Sequence, residues 1–159
     1  MPLTTIRTAI SAVLAAAEPG SKVYAYRRWI TDPEALKQEL QSPENGPIRV
    51  WMFWVDSIAE TMETYSTTSQ SYVFGLRLYH SLSDAAQSEI IVTDLVQTVR
   101  AALRAALTLN GEAFTIVPTT GSMQRAVGPQ LDALELVTLG GVLCHEARLR
   151  LGVEELITL

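Results

Sequence analysis

Two rhythms of apolar and polar positions run along this chain, and turn-forming residues separate them. From Thr4 to Ala17, the residues Ile6, Ile10, Val13, Leu14 and Ala17 recur at helical spacing and share one face. A hydroxyl at Thr4 or Thr5 can cap this helix, and Pro19-Gly20 stops it. Val23–Ile30 is rich in aromatic and β-branched residues and predicts a short strand or extended segment. Thr31, Pro33 and Glu34 then give the capping-box order of a helix start, and Ala35–Leu40 completes a short helix. The run from Ser42 to Pro47 is turn chemistry throughout.

The rhythm changes to alternation at Ile48. Ile48, Val50, Met52 and Trp54 fall on one side of a strand, with Trp51, Phe53 and Val55 on the other. A strand apolar on both faces is covered on both faces. Asp56–Gln70 is polar, rich in Ser and Thr, and without helical period. It predicts the projecting arms of a hairpin whose second strand runs on through Ser71–Ser81. Ser83 or Asp84 is the expected cap of the longest helix, Asp84–Leu109, which Asn110-Gly111 ends. A short strand, Phe114–Val117, and a loop, Thr119–Gln124, follow. Leu134–Leu151 is strand-like, with Gly140-Gly141 marking a bulge or sharp bend. The pattern predicts an α+β fold in a single domain spanning residues 1–159. Its mainly antiparallel sheet carries one long and one shorter helix on one face, plus a short extra helix.

Composition narrows the function classes. Charged residues make up 18 % of the chain, low against about 25 % for ordinary globular proteins, which points toward an oligomer with fewer exposed positions. The net charge is −5 and basic residues are spread thinly, with Arg27-Arg28 the sole adjacent pair. Sequence-specific nucleic-acid binding is therefore not expected. Two solvated arginines flanking a strand account for that pair. No apolar run reaches the length of a membrane span, and Thr8–Ala17 reads as an amphipathic helix rather than a signal peptide. With Cys144 as the lone cysteine, no disulfide forms within the chain.

A catalytic set is hard to assemble. There is no P-loop, GxGxxG, GxSxG or HExxH pattern. Two histidines, His80 and His145, are too few for a multi-histidine metal site. Cys144 and His145 are neighbours in a strand and point to opposite faces, so they do not form a thiol–base pair. Cys144→Ser and His80→Ala are accordingly expected to touch stability and not function. His80-Ser81-Leu82-Ser83-Asp84 holds the residue types of a hydrolase triad, yet a strand end followed by a helix cap demands the same residues. Gly121-Ser122 reads as a solvent loop and Glu60 with Glu63 as solvated hairpin residues. No catalytic residue, cofactor or metal site is assigned. The aromatic residues Trp51, Phe53, Trp54, Tyr24, Tyr26 and Trp29 fit core packing, with a subunit contact as the alternative for some of them.

Several features in order resemble the tail-terminator, or tail-completion, proteins of long-tailed bacteriophages. These are the N-terminal helix before Val23-Tyr24-Ala25-Tyr26-Arg27, Asn45-Gly46 leading into the aromatic strand Ile48–Val55, and Tyr72–Tyr79 followed by Ser81 and Asp84. The long helix ending Leu109-Asn110-Gly111-Glu112 and the stretch Gly140–Ala147 running on to Leu151 complete the likeness. The resemblance implies a homo-oligomeric ring, commonly of six subunits, at the head-proximal end of the tail tube. Such a ring stops tube polymerisation and presents the surface to which the filled head attaches. Its implied partners are the tail-tube protein and head–tail connector proteins. Its implied location is the virion tail, assembled in the host cytoplasm. Another head–tail connector or minor tail protein is the nearest alternative. A small enzyme or ligand-binding domain using His80, Asp84 and His145 is the alternative of a different class.

Overall fold

The computed structural model describes residues 3–41, 46–106, 114–117 and 129–158. Among these, α1 is Leu3–Ala17, β1 Lys22–Tyr24, α2 Pro33–Leu40, β2 Arg49–Thr64, β3 Thr67–Ser81, α3 Ser88–Ala105, β4 Phe114–Val117, β5 Gln130–Leu139 and β6 Val142–Thr158. The fold is α+β. The expected helix end at Leu109 with its Asn110-Gly111 cap lies outside the described residues. So do the loop Thr119–Gln124, with Gly121-Ser122, and Ser42 to Asn45.

One sheet of six strands runs in the order β1-β2-β3-β6-β4, with β5 beside β4 along the same side of β6. All pairs are antiparallel except β1 with β2. The sheet separates two apolar clusters, and the alternation in β2 is the reason. Trp51 and Phe53 join Phe74, Leu76, Leu78, Ala147, Leu149 and Leu151 under α1 and α3. Val50 and Met52, with Ile48 just ahead of the strand, join Cys144, Leu36 and Leu40 under α2. Two helices thus cover one face and the short α2 covers the other.

Four boundaries differ from expectation, each for a local reason. The extended segment Val23–Ile30 is a strand only as far as Tyr24. The cap of α2 is Asp32 and not Thr31: Pro33 holds the first helical position, so the residue before it becomes the cap, and its carboxylate accepts from Glu34 N–H at 3.3 Å. The long helix begins at Ser88, because Gln87 is left-handed at φ 52° and ψ 48°, and a right-handed helix does not propagate through such a residue. Ser83 and Asp84 instead close the preceding turn, accepting on their carbonyls from Ser88 and Gln87 N–H. Finally, the strand-like stretch Leu134–Leu151 is the hairpin β5–β6, and β6 runs on to Thr158.

That hairpin reverses at Gly140-Gly141, between the paired residues Leu139 and Val142. Both glycines have positive φ, +58° and +75°, as a two-residue turn of type I′ needs. Their surroundings differ. A Cβ on Gly140 would stand 2.9 Å from the Lys37 backbone nitrogen of α2, whereas one on Gly141 meets nothing within 4 Å. Gly141→Ala should therefore cost about 1 kcal/mol, the left-handed strain alone. Gly140→Ala should cost clearly more, because α2 must also move. Urea denaturation of the two variants checks this order, and equal losses would contradict the contact with α2.

Candidate functional site

The sheet register brings together residues that the sequence keeps apart. His80 of β3 pairs directly with His145 of β6, and on its other side with Arg49 of β2. Directly paired antiparallel residues share a face, so Arg49, His80 and His145 form one cross-strand row. Both imidazoles are buried. His80 Nδ1 lies 2.9 Å from the Ser81 carbonyl and donates to it, which leaves Nε2 as the acceptor facing Arg49 Nη2 at 3.5 Å. His145 Nε2 is 3.0 Å from Ser88 Oγ, and that oxygen accepts the Ser83 N–H at 2.9 Å.

Burial is the main force on His80 and pushes its pKa below the ordinary imidazole value, with the nearby Arg49 and His145 acting in the same direction. The Ser81 carbonyl opposes them. A proton on Nε2 would set N–H against the Arg49 N–H groups and remove the acceptor. Because the folded pKa lies below the unfolded one, the stability from neutral His80 is full above pH 6.5 and is lost as pH falls from there through the folded value. The Glu18 pKa is raised above the ordinary carboxylate value by burial, and the Arg49 charge acts against that shift. We expect the wild-type chain to lose more stability than His80→Gln between pH 7 and about 5.5, read by thermal melting at each pH. Parallel pH profiles would refute it.

Cys144 and His145 point to opposite faces, one into each apolar region. Burial pushes the Cys144 thiol up to about 11, which leaves almost no thiolate at neutral pH. Asp84 lines a cleft of about 480 Å³ between the start of α3 and β5, together with His145 and Ser88. His80 does not line it. Among the described residues no carboxylate bonds to either imidazole. The three candidates His80, Asp84 and His145 are thus neighbours without being a triad. Ser88 and Arg49 went unnoticed in the sequence, since only the strand register and the start of α3 bring them to the histidines.

The aromatic residues divide. Trp51 and Phe53 are core, and Trp54 is half-buried beneath the Arg27 and Arg77 guanidinium groups at 4.0 and 5.4 Å. Tyr26 and Trp29 are exposed. Arg27 and Arg28 are also more engaged than two solvated arginines: Arg28 pairs with Glu39 at 3.3 Å and with the Tyr26 hydroxyl at 3.3 Å.

The predicted projecting arms are the outer halves of β2 and β3, and they reverse at Tyr65-Ser66. Their two halves differ. The β3 half lies between β2 and β6, with Thr68 and Ser69 buried and Ser69 bonded to Glu154. Thr67–Gln70 is therefore held between two strands of its own domain. The β2 half is an edge. β1 covers β2 only at Val50–Met52, and among the described residues nothing pairs with β2 from Phe53 to Thr64 on that side. A bulge at Asp56 shifts the alternation, so that Ile58 and Met62 fall on the same side as Val55. Ile58, Met62 and Tyr65 are 52, 70 and 102 % exposed. Long strand edges with exposed apolar residues are templates for pairing with another chain.

No protein-family model matches this chain, and a search of curated proteins finds no significant match.

Proposed function

We propose that this chain is an assembly component whose projecting hairpin joins it to further copies in a ring. We further propose that this ring serves as a tail terminator: it caps the head-proximal end of a phage tail tube and receives the head. The unpaired edge of β2 beyond Met52, with Ile58, Met62 and Tyr65 exposed along it, carries the assembly reading. A monomer gains nothing from displaying such an edge, and a neighbour supplies the missing backbone bonds. A head-to-tail contact of this kind closes into a ring when its rotation permits. Among the described residues no helix is long and apolar enough to cross a membrane. The terminator role rests on the sequence resemblance. Polymerising tail-tube protein with and without this chain tests it. Arrested tubes carrying a ring at one end, seen by electron microscopy, are the expected result. Unchanged tube lengths at excess chain would point to a connector or minor tail protein instead.

One observation favours a catalytic reading: Ser88, His145 and Asp84 meet at the cleft beside α3. Against it, Ser88 Oγ already accepts a backbone N–H, and among the described residues no carboxylate orients His145. A phosphonate probe that reacts with activated serines separates the two readings. Labelling of Ser88 that His145→Gln abolishes would establish a nucleophile, and unlabelled protein would leave the pair structural.

A further inference from the structure

The cleft beside α3 and the exposed segment Tyr26–Trp29 lie on opposite faces of the sheet. The cleft belongs to the α1–α3 face, since Ser88 of α3 and His145 form its floor. Four large apolar side chains line it and stay substantially exposed: Leu82, Ile90, Leu134 and Leu136. Leu134 and Leu136 pair with Ala147 and His145 and so face the helices, but β5 is the strand that α3 leaves uncovered. The carboxylates of Asp84, Glu89 and Glu135 stand among these residues, and besides His145 no basic side chain among the described residues lines the cleft. Four apolar residues around one acidic concavity make a patch of the kind that receives a partner side chain.

On the α2 face, the chain between β1 and α2 presents the reverse chemistry. Trp29 is 77 % exposed and Tyr26 is exposed beside it, with Arg27 and Arg28 between them. The Arg27 guanidinium rests on Trp54, and the Arg28 guanidinium is held by Glu39 and the Tyr26 hydroxyl. The cations are thereby set in place before any partner arrives, which lowers the ordering cost of binding. Trp, Tyr and Arg are the residues most enriched among those that carry interface energy.

We infer that Trp29 of one copy inserts into the Leu82–Ile90–Leu134–Leu136 cleft of the next, with Arg27 and Arg28 meeting Asp84 and Glu89. The inference rests on the assembly reading above and names a contact that the hairpin edge does not include. Each subunit offers the segment on one face and the cleft on the other. The contact is therefore heterologous and propagates from copy to copy until it closes. A two-fold dimer would leave one of the two surfaces empty on each copy.

Trp29→Asp and Leu136→Asp test this in the full-length chain. Both positions are exposed, so both variants should fold, which circular dichroism and melting temperature verify. Each variant alone should self-associate about 100-fold more weakly than wild type, the size expected for losing an anchor residue. Mixed together they should associate more tightly than either does alone, because the Leu136→Asp copy keeps an intact segment and the Trp29→Asp copy an intact cleft. If the Asp variants assemble as the wild type does, this contact is overturned and the ring reading stands. If wild-type chain stays monomeric at high concentration both with and without tail-tube protein, the contact and the ring reading fall together.

Discussion

Excising Glu60–Gln70 and joining Ala59 to Ser71 through Asn-Gly should give a folded chain that assembles much more weakly. Ala59 and Ser71 are directly paired, so a two-residue turn closes the shortened hairpin without changing its register. No member of either apolar cluster lies between residues 60 and 70. The deletion removes the Ser69–Glu154 and Tyr72–Gln70 bonds and the backbone pairing of Thr67–Gln70 with Glu155–Thr158, each bond worth about 0.5–1.5 kcal/mol net. It also removes Met62, Tyr65 and the outer part of the free β2 edge, Glu60–Thr64, leaving Phe53–Ala59 with Ile58. The native mass at a given concentration should therefore fall below that of the wild-type assembly while the folded-state circular dichroism persists. A shortened chain that assembles like the wild type would show that the hairpin is ornamental and that the ring, if formed, uses other surfaces.

Trp51→Ala should be the most destabilising single substitution among the tryptophans, costing about 3–5 kcal/mol. Trp51 is fully buried beneath α1 and α3, between Val23 of β1 and Leu78 of β3. Its removal leaves a cavity that three fixed strands cannot close. Against a total of about 5–15 kcal/mol for a typical domain, such a loss brings the chain close to unfolding. Trp51→Phe should cost less, since it keeps a ring and also removes an indole N–H that has no partner among the described residues. Trp29→Ala should change monomer stability by less than about 0.5 kcal/mol, because its side chain is mostly in solvent already. Denaturant titration of the three variants tests the order. A loss under about 1 kcal/mol at Trp51 would mean that the layer above it collapses into the gap.

The same residue type thus has opposite roles at Trp51 and Trp29, and this shows what the sequence could and could not say. Helix α1 was legible because its face repeats within a few residues. The two-sided burial of β2 was legible because both alternating sets of Ile48–Val55 are apolar. The hairpin arms were visible as a polar stretch without helical period, though not the place of their turn, because Tyr65-Ser66 carries no glycine or proline signal. Gly140-Gly141 announced an interruption, and only the pairing of Leu139 with Val142 made it a full reversal.

The sequence by itself determined the local events: where apolar faces lie, where glycine permits a left-handed turn, and where proline sets the start of a helix. These depend on neighbours a few positions away, whose chemistry is written in order. The tertiary structure decided everything that depends on register between distant strands. It set His80 beside His145 and Arg49, placed Ser88 under His145, and buried one half of the hairpin while leaving the other half an edge. It also put the Trp29 segment and the acidic cleft on opposite faces of one sheet. A shift of one residue in any of those ladders turns every side chain to the other face, and no local pattern in this chain records that choice.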